Sequence, residues 1–107
     1  MLFLHKIKEK KKDTVKKIVL ETIAEFCDNN GIEVEGEITS ESRLIGKSGL
    51  FDSMDLVNFL VDLEEVLEDT FDKGFTLSDE RAMSRSHSPF MNAEELTKFI
   101  LELDGEE

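Results

Sequence analysis

Apolar residues recur at helical spacing in three stretches of this chain, and this periodicity limits the fold more than any other feature. A helix that buries one face places apolar residues three or four positions apart, whereas a half-buried strand alternates them with polar ones. Ile32 and Val34 do alternate with glutamates, but no second strand pattern exists to pair with them. The sequence therefore predicts an all-α fold. The three apolar sets are Val15, Ile18, Val19, Ile23 and Phe26; Met54, Val57, Leu60, Val61 and Leu67; and Leu96, Phe99, Ile100 and Leu103.

The first helix is expected to begin between Leu4 and Asp13 and to end near Asn29. Asn29 is followed by Asn30 and Gly31, and both residue types tolerate the left-handed conformation at a helix end. The lysine run of residues 6–12 is interpreted as a solvated helical extension, with a contact to anionic partners or lipid headgroups as the alternative. The first twelve residues are thus a lysine-rich extension or the start of the helix.

Capping residues mark the other two helices. Asp52 is a good N-cap for a second helix that is expected to run from Ser53 to about Asp69. Asn92 caps the last helix, and Glu95 follows three residues later as its capping-box partner. Both starts are therefore predicted from local chemistry alone.

A long structured loop, residues 32–51, is expected between the first and second helices. Gly46 and Gly49 allow the turns that deliver the chain to Ser53. Apolar side chains in the second half of the loop should anchor it to the core. These anchors are Leu44, Ile45, Leu50 and Phe51.

The order of the elements predicts one small domain, residues 1–107, built as an antiparallel bundle of three or four helices. The fourth is a one- or two-turn helix at residues 78–81 with Ser78 as its cap. A loop at residues 84–89 follows it, and residues 104–107 are expected to fray. The centre of such a bundle can be simply packed or can admit a slender apolar guest.

Charge is distributed unevenly along the chain. Residues 1–17 hold seven lysines and two acidic residues, whereas the remainder holds six basic and 23 acidic side chains, for a total of −12. A body this acidic repels phosphate backbones, which disfavours nucleic-acid binding. It should attract basic patches on partner proteins, although an acidic surface can also serve solubility alone.

Several classes of function lack the residues that they need. Cys27 is the only cysteine, so an intrachain disulfide is impossible, and its apolar neighbours indicate a buried residue rather than a nucleophile. His87 has no second histidine or cysteine nearby, so no metal site is expected. No nucleophile–base pair, Walker loop or dinucleotide motif is recognisable, so the chain is not expected to be an enzyme. No segment is long enough to cross a bilayer, and a monomeric cytoplasmic protein is expected.

The stretch Gly49-Leu50-Phe51-Asp52-Ser53 is the best candidate for a functional site. Ser53 follows the N-cap Asp52 and lies in the first turn of an acidic helix. Free backbone N–H groups and the positive end of the helix dipole make this a favourable place to carry a phosphate or phosphodiester. For an isolated Asp-Ser pair, a simple helix cap would be the better interpretation.

The surroundings of Ser53 resemble the modification site and second helix of acyl carrier proteins. Asp52-Ser53-Met54 is similar to the Asp-Ser-Leu triplet of that family, and Met54 replaces leucine by another flexible apolar residue of similar volume. The similarity extends from about Val15 to Leu103, with the same order of helix, long loop, helix, short helix and helix. It continues along the second helix through Asp55, Val57, Leu60, Leu63, Glu64, Glu65 and Leu67.

The resemblance implies that Ser53 carries a 4′-phosphopantetheine arm, which a phosphopantetheinyl transferase would move onto its oxygen from coenzyme A. The thiol of the arm would hold an acyl cargo as a thioester in fatty-acid, lipid or specialised biosynthesis, and the cargo could slip among the helices. Asp52, Met54 and Asp55 would shape the modification site.

The same resemblance implies that loading and acyl-transfer enzymes dock through basic patches on the second helix. The docking positions would be Asp55, Asn58, Asp62, Glu64 and Glu65. Asn58 stands where many members of the family have an acidic residue, which weakens one docking contact.

The four residues before Ser53, which we call its lead-in, indicate the class of cargo. Gly49-Leu50-Phe51-Asp52 differs from the Leu-Gly-x-Asp lead-in common in carriers of bulk fatty-acid synthesis. It is closer to stand-alone carriers of specialised pathways, including D-alanyl carriers, so an acyl carrier of a specialised pathway is expected and an aminoacyl carrier is the alternative. A different class of function is an unmodified acidic adaptor that binds a basic partner through the second helix.

Overall fold

The structure is a computed structural model. It describes residues 2–34, 36–46, 49–77 and 88–105, with the backbone alone for residues 2–10. The short helix predicted at residues 78–81 lies outside these residues, as do residues 84–87 of the predicted loop.

The described residues form three helices and no strand, which confirms the all-α prediction for that part of the chain. Two of the helices begin at the residues that the capping patterns predicted. The helices are α1 (Leu2–Asn29), α2 (Ser53–Phe71) and α3 (Ala93–Leu103).

The end of α1 is closed by a Schellman motif. Gly31 adopts a left-handed φ of 66°, and the Ile32 N–H donates to the Cys27 carbonyl at 2.9 Å. The predicted stop after Asn29 is therefore confirmed. The predicted start is wrong by two residues, because α1 already begins at Leu2. No proline or glycine interrupts the lysine run, and lysine is a good helix former.

The buried face of α2 differs from the predicted one. The apolar spacing predicts that Met54, Val57 and Val61 face the core, but their side chains are 73%, 45% and 49% exposed. Apolar residues occupy both sides of this helix, and the set at helical spacing that includes the large ring of Phe59 is the one that packs inward. The buried residues are Leu56, Phe59, Leu60, Leu63 and Leu67.

Helix α1 packs against both other helices. Phe26 near its end meets Phe59 near the start of α2, with ring centroids 6.0 Å apart. Lys11, in the first half of α1, lies over the ring of Phe71 at the end of α2. The two helices therefore run in opposite directions, which keeps the start of α2 beside the end of α1.

The core is one cluster that includes side chains from the connecting segments as well as the helices. Leu44 and Phe51 are buried, and Ile45 and Leu50 pack against the cluster, so the predicted loop anchors are confirmed. Many of the large side chains are fully buried, among them Phe59, Phe90, Leu60, Leu63, Leu77 and Leu96.

Candidate functional site

The loop before Ser53 is held by backbone hydrogen bonds. The Leu50 N–H donates to the Arg43 carbonyl at 3.1 Å, and the Phe51 N–H donates to the Leu44 carbonyl at 2.8 Å. Leu44 in turn donates from its N–H to the carbonyl of Met91, just before α3, at 2.8 Å. The segment that leads into α2 is therefore fixed to a second part of the chain.

Gly49 closes this loop because no side chain fits there. A Cβ atom at residue 49 would lie 2.5 to 2.6 Å from the backbone of Ile45, far inside van der Waals contact. The Gly49 N–H donates to the carbonyl of Gly46, which has a φ of 93°. The predicted role of the two glycines as turn formers is thus explained by one close approach and one left-handed residue.

Phe51 fixes the position of the chain two residues before Ser53. Its ring lies 5.3 Å from that of Phe26 in α1 and 5.1 Å from that of Phe59 in α2, measured between centroids. Aromatic contacts of this kind add to the stabilisation from burial. The site is thus anchored to both helices by one buried ring.

A reciprocal capping box sets the start of α2. The Asp55 N–H donates to Asp52 Oδ1 at 2.8 Å, and the Asp52 N–H donates to Asp55 Oδ2 at 3.3 Å. The two carboxylates predicted to shape the site therefore hold the first turn together. Ser53 is the first residue of the helix, and its side chain is exposed.

Asp55 also reaches the neighbourhood of Cys27. Burial raises the pKa of the Cys27 thiol, and the negative charge of Asp55 raises it further. The thiol is therefore neutral at physiological pH, as expected for a buried structural cysteine.

Four of the predicted docking residues, Asp55, Asn58, Asp62 and Glu65, recur at helical spacing along one side of α2, whereas Glu64 lies apart from them. Glu64 is half-buried, and its Oε2 accepts a hydrogen bond from the Leu77 N–H at 2.6 Å. Asp62 and Glu65 line a groove of about 270 Å³ against α1. Asn58 is exposed on the outer side of α2. Glu64 therefore ties the segment after α2 to the helix, and this bond occupies one of its two carboxylate oxygens.

The outer side of α2 carries a feature that the sequence reading missed. Met54, Val57 and Val61 follow one another at helical spacing and are all exposed, and we call them the apolar stripe. Exposed glutamates and Asn58 lie beside them on the same side of the helix. The sequence does contain a signal for this arrangement, because Leu56, Phe59 and Leu63 form a second apolar set at helical spacing on α2.

Among the described residues, no cluster of three or more histidine, cysteine, aspartate or glutamate side chains could hold a metal ion. None of the helices in the described part of the chain has the length and apolar character needed to span a membrane.

Comparisons with protein-family models, with curated proteins and with solved structures gave no match to this chain.

Proposed function

We propose that this chain is a carrier protein that bears a 4′-phosphopantetheine arm on Ser53 and delivers acyl groups as thioesters. The observation that carries the proposal is the setting of Ser53. Its hydroxyl is exposed at the first position of a helix whose start is fixed by a capping box and a buried ring. A transferase needs such a hydroxyl to be accessible and held in one place.

The electrostatics of the site favour a covalent arm over a bound phosphate. A helix N-terminus attracts anions, but the Asp52 carboxylate already accepts the N–H of Asp55. Two carboxylates beside Ser53 also weaken the positive potential there. A phosphodiester at this position is retained because it is bonded to the serine oxygen.

The apolar stripe supports the docking of partner enzymes beside the arm. Met54 directly follows Ser53, so a partner that covers the stripe also covers the point of attachment. Apolar burial of this kind gives affinity, while the exposed acidic residues around the stripe favour partners with basic patches. The chain itself carries out no chemistry in this proposal.

The cargo class follows from the donor that loads the arm. An acyl group of a specialised pathway is proposed, because the Gly49-Leu50-Phe51 lead-in resembles that of stand-alone carriers. An aminoacyl carrier shares the same lead-in. Loading assays that offer the arm acyl donors and aminoacyl donors in parallel distinguish the two.

An acidic adaptor without an arm is a second candidate, and the exposed apolar stripe is the observation that favours it. Met54, Val57 and Val61 form an unpartnered apolar surface whether or not Ser53 is modified. In that case Ser53→Ala leaves partner binding unchanged, whereas the carrier proposal requires the hydroxyl.

Incubation with coenzyme A and a broad-specificity phosphopantetheinyl transferase tests the proposal. Intact-protein mass spectrometry should record the addition of one phosphopantetheine to the wild type and none to Ser53→Ala. Ser40→Ala is the matched control, since it removes a serine hydroxyl elsewhere in the chain and should still accept the arm. A folded wild type that stays unmodified contradicts the proposal.

A further inference from the structure

Arg43 lies in an acidic part of the molecule and forms no ion pair with any other residue that the structure describes. Among the described residues between Lys17 and Lys73 it is the one basic side chain. Its Nε donates to the Ile45 carbonyl at 3.2 Å, and no hydrogen bond or ion pair from its terminal nitrogens to another described residue is found. A guanidinium presents several donors in a planar fork, so those of Arg43 are available to a ligand.

The position of this guanidinium is set by the turn beneath it. A Cβ atom at residue 46 would lie 3.3 Å from Arg43 Nε, so glycine leaves the room that the side chain occupies. The hydrogen bond from Nε to Ile45 then holds the side chain over the turn. Arg43 is thus oriented before any ligand arrives.

Arg43 lines a cleft of about 470 Å³ between the beginning and the end of the loop that joins α1 to α2. Glu33 and Glu37 contribute carboxylate acceptors to it, and Val34 and Leu50 contribute apolar surface. The cleft therefore offers hydrogen-bond donors, acceptors and small apolar patches together, which suits a ligand rich in amides with short branched alkyl groups.

Leu50 places this cleft within reach of Ser53. Leu50 lies three positions before Ser53, and three residues of fully extended chain span at most about 11 Å. A phosphopantetheine arm is longer than this distance. Its amides and hydroxyl match the polar groups of the cleft, and its geminal methyl groups match the apolar ones.

We propose that the cleft beside Arg43 is a resting site for the pantetheine part of the arm on Ser53, with the Arg43 guanidinium donating to amide carbonyls of the arm. This proposal rests on the proposed function, since it requires the arm. It adds a place where the arm lies between visits to partner enzymes. Release of the arm then requires only the exchange of exposed hydrogen bonds for water.

Backbone amide chemical shifts of the ¹⁵N-labelled chain before and after arm addition test the proposal. In the wild type, the arm should shift the amides of Val34, Glu37 and Leu50 as well as those of the first turn of α2. Arg43→Ala should lose the shifts in the cleft and keep those in the first turn. Lys98→Ala, which removes an exposed cation from α3, should keep both sets.

Three results would overturn the resting site. Shifts confined to the first turn of α2 place the arm in solvent, and shifts along buried residues of α2 and α3 place it in the core. If the chemical shifts of the cleft amides still change in Arg43→Ala, the guanidinium does not hold the arm. Arg43→Lys, which retains the charge without the fork, should recover part of the cleft shifts and shows that the loop is intact.

The mass of the labelled sample separates this proposal from the proposed function. If no arm is added to Ser53, both fail. If the mass shows the arm and the cleft amides do not shift, only the resting site fails.

Discussion

The two ends of α2 are stabilised by different interactions. At the Ser53 end, the loop is held by backbone hydrogen bonds, the ring of Phe51 and a carboxylate capping box. At the opposite end, Asp104 after α3 pairs with Lys11 from α1 and with Lys73 at 2.5 Å. We call this group of three residues the Asp104 clamp.

The clamp explains why Asp104 is ordered, although the sequence predicts that residues 104–107 fray. The side chain of Asp104 is only 6% exposed, and its ion pairs join three parts of the chain. A carboxylate at a helix C-terminus is unfavourable by itself because it faces the negative end of the dipole. The two lysines offset that cost.

The difference between the ends concerns where charge is neutralised. Lys11 and Lys73 pair with Asp104, and Lys16 pairs with Glu94 at 2.6 Å, so these cations are used inside the molecule. The Ser53 end has acidic side chains and an exposed apolar stripe, and its described cation, Arg43, makes no ion pair with another described residue. The charges at the clamp end are therefore paired within the molecule, whereas the Ser53 end exposes charged and apolar side chains that a partner protein can contact.

The largest expected effect tests whether the Ser53 end depends on its buried ring. Phe51→Ala should lower the free energy of unfolding by about 3–4 kcal/mol, because it removes a buried ring that contacts two others. Phe75→Ala at the clamp end should cost about 1 kcal/mol less, since that ring is at the edge of the core and 9% exposed. Urea unfolding of both variants measures the difference, and equal costs would contradict it.

Gly49→Ala tests the close approach in the loop. The added methyl group meets the backbone of Ile45, so the free energy of unfolding should fall by about 2 kcal/mol and the rate of arm addition should fall with it. Gly74→Ala is the control, because a Cβ there meets nothing within 4 Å, and its stability should change by less than about 0.5 kcal/mol. Similar stability of the two variants would mean that the loop is not tightly closed.

Docking on the apolar stripe is tested with two valines of α2 that have comparable exposure. Val61→Ser should reduce kcat/KM for the transferase about fivefold, which corresponds to about 1 kcal/mol of lost apolar burial. Val66→Ser changes a valine beside the groove with α1 instead and should leave the rate close to that of the wild type. Equal rates for the two variants would remove the stripe from the docking surface.

The clamp should give the protein a pH-dependent component of stability. Burial opposes the ionisation of Asp104, but the hydrogen bonds from Lys11 and Lys73 outweigh it, so the pKa of this carboxyl lies below its ordinary value. A lowered pKa in the folded state stabilises the fold above the unfolded pKa of about 3.9, and this stability is lost as the pH falls through the folded value.

Asp104→Asn measures that component. It should cost about 1 kcal/mol near neutral pH, since the lysine partners are partly exposed, and the difference from the wild type should shrink below about pH 4. Unfolding in urea at pH 7 and pH 3 provides the comparison. A cost that does not change with pH would show that the ion pairs contribute nothing.

The smallest effect is expected from the cap itself. Asp52→Asn keeps an oxygen that accepts the Asp55 N–H, so the free energy of unfolding should change by no more than about 0.3 kcal/mol. Asp52→Ala removes that acceptor and should cost about 1 kcal/mol. Thermal unfolding of the pair shows whether the cap acts through its hydrogen bond.

Local chemistry was enough to predict the ends of several elements. Asn29 and Gly31 fixed the end of α1, and Asp52 and Asn92 fixed the starts of α2 and α3, because capping depends on a few neighbouring residues. Gly49 was recognised as a turn residue for the same reason.

Features set by tertiary packing could not be predicted in this way. Two apolar sets on α2 have helical spacing, and only the packing of Phe59 against α1 decides which of them is buried. The bond from Leu77 to Glu64 and the pairing of Asp104 with Lys11 join residues far apart in the chain. The periodicity of apolar residues along the sequence does not predict such long-range contacts.

The most direct test of the central claim is the intact mass of the protein isolated from its native cell, followed by fragmentation to locate any added group. We predict a mass increase that equals phosphopantetheine with or without its acyl cargo, and fragments that place it on Ser53. A native protein that is folded and uniformly carries an unmodified Ser53 would contradict the account.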